Sequence, residues 1–243
     1  MAGEPGPAPG LTLERVHHKN VPYVVARVDV RKAGIGLYWK DGEGKPYTNF
    51  YNLRDSLARQ GKKLVFATNS GIYARDYTPL GLHVEGGREL EPLNRKRGGG
   101  NFFIKPNGVF FITGDMAGIM TTDAYAEKNI APSLAVQSGP MLLMDGGYSP
   151  RLLPDSDTYF IRNGVGLVSD HEIVFVLSEL PVNFYTFAAF FKGELGCSGA
   201  LYLDGSLSGM YAPAIGREDI GGVYVGMLGI TVEQQEPAEK PDK

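Results

Sequence analysis

Cysteine is nearly absent from this chain: Cys197 stands alone, which excludes an intramolecular disulfide and a cysteine-built zinc cluster. Histidine is almost as sparse. His17 and His18 share one segment, while His83 and His171 lie far apart, and no His-Glu-x-x-His spacing supplies the ligands of a zinc hydrolase. No apolar run has the length of a membrane-spanning helix. Residues 1–10 form a Pro/Gly/Ala tract without the apolar centre of a signal peptide, expected to be disordered, and read either as a native tail or as what replaced a removed leader. An excess of one charge is also missing. The 24 basic and 27 acidic residues are dispersed, so no basic stripe follows a nucleic-acid backbone, and nucleic acid is not an expected partner. Phosphate-loop and dinucleotide fingerprints are absent too, because Gly98-Gly99-Gly100-Asn101 has no following Lys-Ser/Thr pair and leads into an expected strand.

What the chain does contain is apolar residues at 43% and 33 glycines, many of them beside Asn, Asp or Ser. That combination predicts a proper core whose tight turns bring backbone amides close to a ligand. Alternating apolar positions predict strands over residues 11–17, 23–30 and 35–39. Helical spacing marks residues 52–60, stopped by Gly61, and a short apolar run over 64–68 then delivers Asn69 at a strand end. Hairpins are predicted over 81–90 around Gly86-Gly87, over 101–113 around Pro106-Asn107-Gly108, and over 163–178 around Asp170-His171. A second helix is expected over 184–195, with Asn183 as its N-cap and Gly196 as its stop. A brief buried strand over 201–203 and a last strand over 223–232 complete the pattern. The fold class that follows is α+β: mixed, largely antiparallel sheets with a few packed helices in one domain, residues 11–232, followed by a charged tail, 233–243, expected to be disordered.

Several of these strands end abruptly in small polar residues. Asp204 follows an apolar strand and precedes Gly205 and Ser206, which puts a carboxylate at a sheet edge; a turn in which Asp204 only bonds backbone amides is the competing reading. Asn69, Ser70 and Gly71 have the same form, as do Ser138 and Gly139, where hydrogen bonding to a substrate is favoured over a nucleophile because no Gly-x-Ser-x-Gly elbow is present. Arg162 and Asn163 open another strand, and a guanidinium suits a planar, bidentate grip on phosphate or carboxylate, with a surface ion pair as the bland alternative. Arg95, Lys96 and Arg97, followed by three glycines and Asn101, form either an anion-binding loop or a solvated charged face. Cys197 reads as a buried small apolar residue rather than a nucleophile.

Five segments together, Asn69-Ser-Gly-Ile-Tyr73, Gly100-Asn-Phe-Phe103 with Pro106-Asn-Gly108, Gln137-Ser-Gly-Pro140, Ile161-Arg-Asn-Gly-Val165 and Ala200-Leu-Tyr-Leu-Asp-Gly205, resemble the phosphodiester glycosidase domain family. The likeness runs over residues 21–232 and is nearest to a bacterial branch with Asn-Ser-Gly-Ile-Tyr and Leu-Tyr-Leu-Asp-Gly-Ser. The wider family has glycine where Ser70 and Ser206 stand. The resemblance implies hydrolysis of a glycosyl phosphodiester and an extracytoplasmic location. For that reaction the residue chemistry offers Asp204 and Arg162 as the catalytic pair, with Asn69, Ser70, Gly71, Asn101, Ser138, Gly139, Asn163, Gly205 and Ser206 expected around the substrate. Glu85 and Asp145 are reserve carboxylates. The expected partner is a small molecule or glycan carrying phosphate. No cofactor is required, and a divalent cation between phosphate and Asp204 would suit the site, although no ligand spacing assigns a metal. A carbohydrate- or envelope-binding module of the same fold, and an enzyme cleaving another phosphodiester or a related cell-envelope glycan bond, are the alternatives that these residues leave open.

Overall fold

Along the chain the strands and helices are β1 (Leu11–His18), β2 (Val21–Asp29), β3 (Ile35–Tyr38), α1 (Phe50–Ala58), β4 (Lys62–Asn69), β5 (His83–Glu85) and β6 (Arg88–Glu91). They continue with β7 (Gly108–Thr113), β8 (Met116–Thr121), α2 (Thr122–Ala126), β9 (Leu134–Ser138), β10 (Met141–Met144), β11 (Gly147–Tyr148), β12 (Asn163–Ser169) and β13 (Glu172–Ser178). The last are α3 (Phe184–Gly193), β14 (Gly199–Tyr202), β15 (Met210–Ala212), β16 (Arg217–Glu218) and β17 (Met227–Glu233). The computed structural model describes residues 7–204 and 207–234.

Three sheets result, ordered β1-β2-β13-β12-β14-β10-β11, β16-β15-β4-β17-β3 and β6-β5-β9-β7-β8, and every strand pairing among the described residues is antiparallel. The chain is therefore α+β, as its pattern predicts. Strand period explains how the sheets stack. In β2, Val24, Ala26 and Val28 point into the central core with Phe66, Phe110 and Leu228 from the other two sheets, while Tyr23 and Val25 point the other way, under α3. β13 repeats the division, with Ile173, Phe175 and Leu177 inward and Val174 and Val176 beneath the helix.

Helix α3 covers the outer face of the first sheet with Phe187, Phe190 and Phe191, all fully buried, each contributing about 1.5–3 kcal/mol of apolar transfer. Its N-cap is Asn183, whose side chain accepts from the Thr186 N–H, as the spacing predicts. Helix α1 starts earlier than its apolar spacing suggests, because Asn49 caps it by accepting from the Asn52 N–H, and it buries Phe50, Leu53 and Leu57 against the second sheet.

One expectation is corrected. The predicted hairpin turn at Pro106-Asn107-Gly108 is not one: Asn101–Phe103 is a short 3₁₀ turn, and Asn107 turns its amide inward onto the Phe102 carbonyl (3.0 Å). β7 instead pairs with β8, reversing at Gly114 with φ +57°. The folded chain also begins before residue 11, since Ala8 is buried in the central core and its carbonyl accepts from the Leu11 N–H. At the other end the Gln234 N–H is bonded to the Gly61 carbonyl, so the ordered backbone extends past the expected boundary at residue 232.

Candidate active site

The C-terminal ends of β4, β9 and β14 converge, and each delivers one polar segment. Asn69 ends β4 and is buried; its Nδ2 donates to Asp204 Oδ2 at 2.8 Å and to the Leu207 carbonyl at 2.8 Å. Its Oδ1 accepts from the Gly209 N–H (2.9 Å) and from Asn163 Nδ2 (3.0 Å). Asn163, fully buried at the start of β12, also donates to Thr68 Oγ1 (3.1 Å) and the Asn69 carbonyl (2.8 Å), and its Oδ1 accepts from the Asp204 N–H (3.2 Å) and Ser208 Oγ (3.4 Å). Ser138, at the end of β9, donates to the Leu203 carbonyl at 2.6 Å. Asp204, only 5% exposed, thus shares hydrogen bonds with Asn69 and Asn163, 135 and 41 positions away in sequence.

Three tyrosines share the electrostatic field of Asp204. Burial first, and the Asp204 charge after it, push the Tyr73 hydroxyl up; Tyr202 rises for burial foremost, with Asp204 adding to it. Burial, then Asp219 and Asp204, push Tyr224 up to about 12. Tyr73 donates to the Val223 carbonyl (2.7 Å) and stacks on the half-exposed Tyr77, forming an aromatic wall. Tyr73 and Tyr202 both lie inside the sequence motifs, yet nothing in the sequence marks them as neighbours of Asp204; Tyr224 carries no local signal at all.

Arg162 immediately precedes Asn163, whose carbonyl accepts from the Leu203 N–H. Its head group turns under α3. Nε donates to the Val182 carbonyl (2.7 Å) and Nη2 to the Thr158 carbonyl (2.8 Å), and the guanidinium lies 3.7 Å from the centre of the Phe184 ring. Burial lowers its pKa, opposed by the Tyr202 hydroxyl. The bidentate grip expected of this arginine is therefore corrected: two of its three nitrogens are committed to backbone, because a cation only 1% exposed must replace its lost hydration from nearby carbonyls.

The other expected residues divide. Gly71 follows the Asn69 strand end, and Gly139 packs so closely that a Cβ there would lie 2.6 Å from that of Asn107, so glycine is required. Ser70 is buried beside Asn69, but its hydroxyl has no hydrogen-bond partner among the described residues. Asn101 opens the 3₁₀ turn, half-buried. Gly205 and Ser206 lie outside the described residues. The reserve carboxylates stay out of the hydrogen bonds described around Asp204: Glu85 takes the Nε2 of buried His83 at 2.8 Å, and Asp145 is an exposed turn residue at φ +48°. Among the described residues no group of three or more His, Cys, Asp or Glu is arranged to hold a metal ion. A cleft of about 800 Å³ between Pro7 and Glu172 contains none of the residues expected at the site.

Cys197 packs in the layer beneath α3, and burial pushes its thiol up to about 12. At pH 8 the thiol stays protonated, and only the thiolate is nucleophilic. Native protein is therefore expected to resist iodoacetamide at pH 8 and to be alkylated fully after denaturation, as intact-mass spectrometry would show; rapid labelling of the native chain would contradict this placement.

Comparison with known proteins gives a family, a relative and two solved structures. The sequence model of a family described as phosphodiester glycosidase matches residues 62–227. Uncharacterized protein YigE of Escherichia coli (strain K12) is 42% identical over 178 residues, which cover 73% of this chain and 69% of that one. Among solved structures, the catalytic domain of zebrafish N-acetylglucosamine-1-phosphodiester alpha-N-acetylglucosaminidase, auto-inhibited by its pro-peptide, aligns with a TM-score of 0.60 at 14% identity, covering 95% of this chain and 85% of that one. A Burkholderia pseudomallei K96243 protein, named as a candidate for export, aligns with a TM-score of 0.54 at 12% identity over 86% of this chain and 74% of that one. At such identities the structural likeness establishes the fold.

Proposed function

Because the chain belongs to the phosphodiester glycosidase family, we propose that it hydrolyses a glycosyl phosphodiester, with Asp204 as the reacting carboxylate. The observation that carries this reading is the buried Asp204–Asn69–Asn163 network, which fixes one carboxylate at the meeting point of three strand ends. Ordinary glycosidases need a second carboxyl group to protonate a departing alcohol. A departing phosphate monoester is already a stable anion and needs no such proton. One carboxylate, acting on the anomeric carbon or on the attacking water, then suffices.

The remaining groups take supporting roles. Asn69 orients the Asp204 carboxylate, and Asn101 and Ser138 flank the sugar or phosphate oxygens. Arg162 contributes positive charge from behind Tyr202, in a buried setting where solvent screens it weakly, rather than by direct grip. In the overall reaction the anomeric C–O bond breaks, the sugar gains the hydroxyl of water, the bridging oxygen leaves with the phosphate monoester, and the remaining proton of the water passes to that monoester or to solvent. Among the described residues no helix is long and apolar enough to cross a membrane, and an extracytoplasmic glycan carrying phosphate is the proposed substrate.

The test is hydrolysis of a panel of sugar-1-phosphodiesters beside uncharged aryl glycosides, run in heavy-oxygen water. The expected result is turnover of phosphodiesters alone, with the heavy oxygen in the released sugar. Label in the phosphate would mean P–O cleavage and overturn the assignment. Binding of the panel without any turnover would instead identify a binding module of this fold.

A further inference from the structure

Beside the turn on which Gly139 packs lies a cleft of about 410 Å³ lined by Arg95, Arg97, Lys105, Asn107, Thr122 and Asp123, among others. Three cations face one carboxylate there, in a chain whose net charge is −3. That carboxylate, Asp123, meets Arg95 at 3.4 Å with both side chains mostly exposed, a pairing that water and salt weaken. Among the described residues, neither Arg97 nor Lys105 lies in an ion pair with an acidic side chain.

The cleft is preorganised. Lys105 Nζ donates to Asn107 Oδ1 at 2.8 Å, and Asn107 is itself buried, with Nδ2 on the Phe102 carbonyl and its own carbonyl accepting from the Thr122 N–H. The loop that carries Arg95 and Arg97 is pinned at Asn94, whose N–H donates to Gln137 Oε1 (2.8 Å) and whose carbonyl accepts from Gln137 Nε2 (2.7 Å). Gln137 precedes Ser138, and Ser138 is bonded to Leu203, the neighbour of Asp204. In the other direction Gly139 packs on Asn107. Only the Ser138–Pro140 segment therefore lies between the Leu203 backbone and the Lys105–Asn107 turn.

We propose that this basic cleft is a second phosphate subsite, and that the substrate is an oligomeric sugar- or polyol-phosphate chain, one phosphodiester lying at Asp204 while its neighbour lies between Arg97 and Lys105. The chain-wise placement rests on the reading of Asp204 given above, whereas binding of phosphate in the cleft does not. Direct binding by the full chain tests it, with a glycerol-phosphate oligomer of several repeats, glycerol 3-phosphate, and an oligodeoxynucleotide of matched charge as probes. The oligomer is expected to bind more tightly than the other two. It should bind about tenfold more weakly to the Arg97→Gln/Lys105→Gln double variant, and glycerol 3-phosphate, which the cleft also receives, should weaken with it. Arg97→Glu alone, at an exposed position, should weaken oligomer binding at least as much and guards against loss of the Asn107 anchor. In turnover, the double variant should raise KM for the oligomer and leave kcat unchanged.

Equal oligomer affinity in the parent and both variants, or equal affinity for the oligodeoxynucleotide, overturns the subsite. Failure of the subsite is distinguishable from failure of the hydrolytic reading. Asp204→Asn should retain oligomer binding. Cleft-dependent binding by a chain that turns over no phosphodiester supports the subsite and sinks the proposed reaction, whereas turnover indifferent to both variants does the reverse.

Discussion

Asp204→Asn is expected to lower kcat on sugar-1-phosphodiesters by about 10²–10⁴-fold while binding and fold persist. The substitution keeps the side chain's size and planarity. Asn69 Nδ2 already donates to Oδ2 at 2.8 Å, so the new amide turns its oxygen toward Asn69 and keeps that bond. Lost are the negative charge and the basicity that act on the anomeric carbon or on water. Because the interaction being removed strengthens only as positive charge develops on the sugar, the loss should fall on kcat with little change in KM. Steady-state kinetics with a thermal melt checks both parts. A variant with near-parental kcat would remove Asp204 from the chemistry, and a collapsed melting curve would assign it a structural role instead.

Asn163→Ala is expected to destabilise the protein by about 3 kcal/mol, a fall in Tm of roughly 6–12 °C for a chain of this size. The amide is fully buried, and its removal leaves Thr68, Asn69 and the Asp204 N–H short of partners they cannot recover from water. Activity should fall further than stability accounts for, since Asn163 fixes both the Asn69 amide and the backbone of Asp204. Denaturant unfolding gives the first quantity, and kcat well below the Tm gives the second. A stability change under about 1 kcal/mol would mean that water replaces the missing amide, and the network would not be the support argued for here.

Local chemistry made much of the architecture legible before any coordinates. The apolar runs of β2 and β13, the Asn183 cap of α3 and the Asn69 and Asp204 strand ends are written within short stretches of chain, because strand and cap signals depend on neighbours a few residues away. The Pro106-Asn107-Gly108 turn misled for the same reason: its residues permit a hairpin, and only the carbonyl of Phe102, waiting beneath, decides that Asn107 turns inward. Arg162 shows the limit most plainly. Its residue type suits a phosphate grip, but the carbonyls of Thr158 and Val182 and the face of Phe184 claim the guanidinium once α3 packs over it.

The sequence by itself determined an α+β chain with its polar residues at strand ends and the family those residues spell. Only the tertiary structure decided that Asp204, Asn69 and Asn163 form one buried network and that Arg162 turns away under a helix. The physical reason is that hydrogen bonds between residues about a hundred positions apart depend on how three sheets stack, and no local pattern encodes that distance.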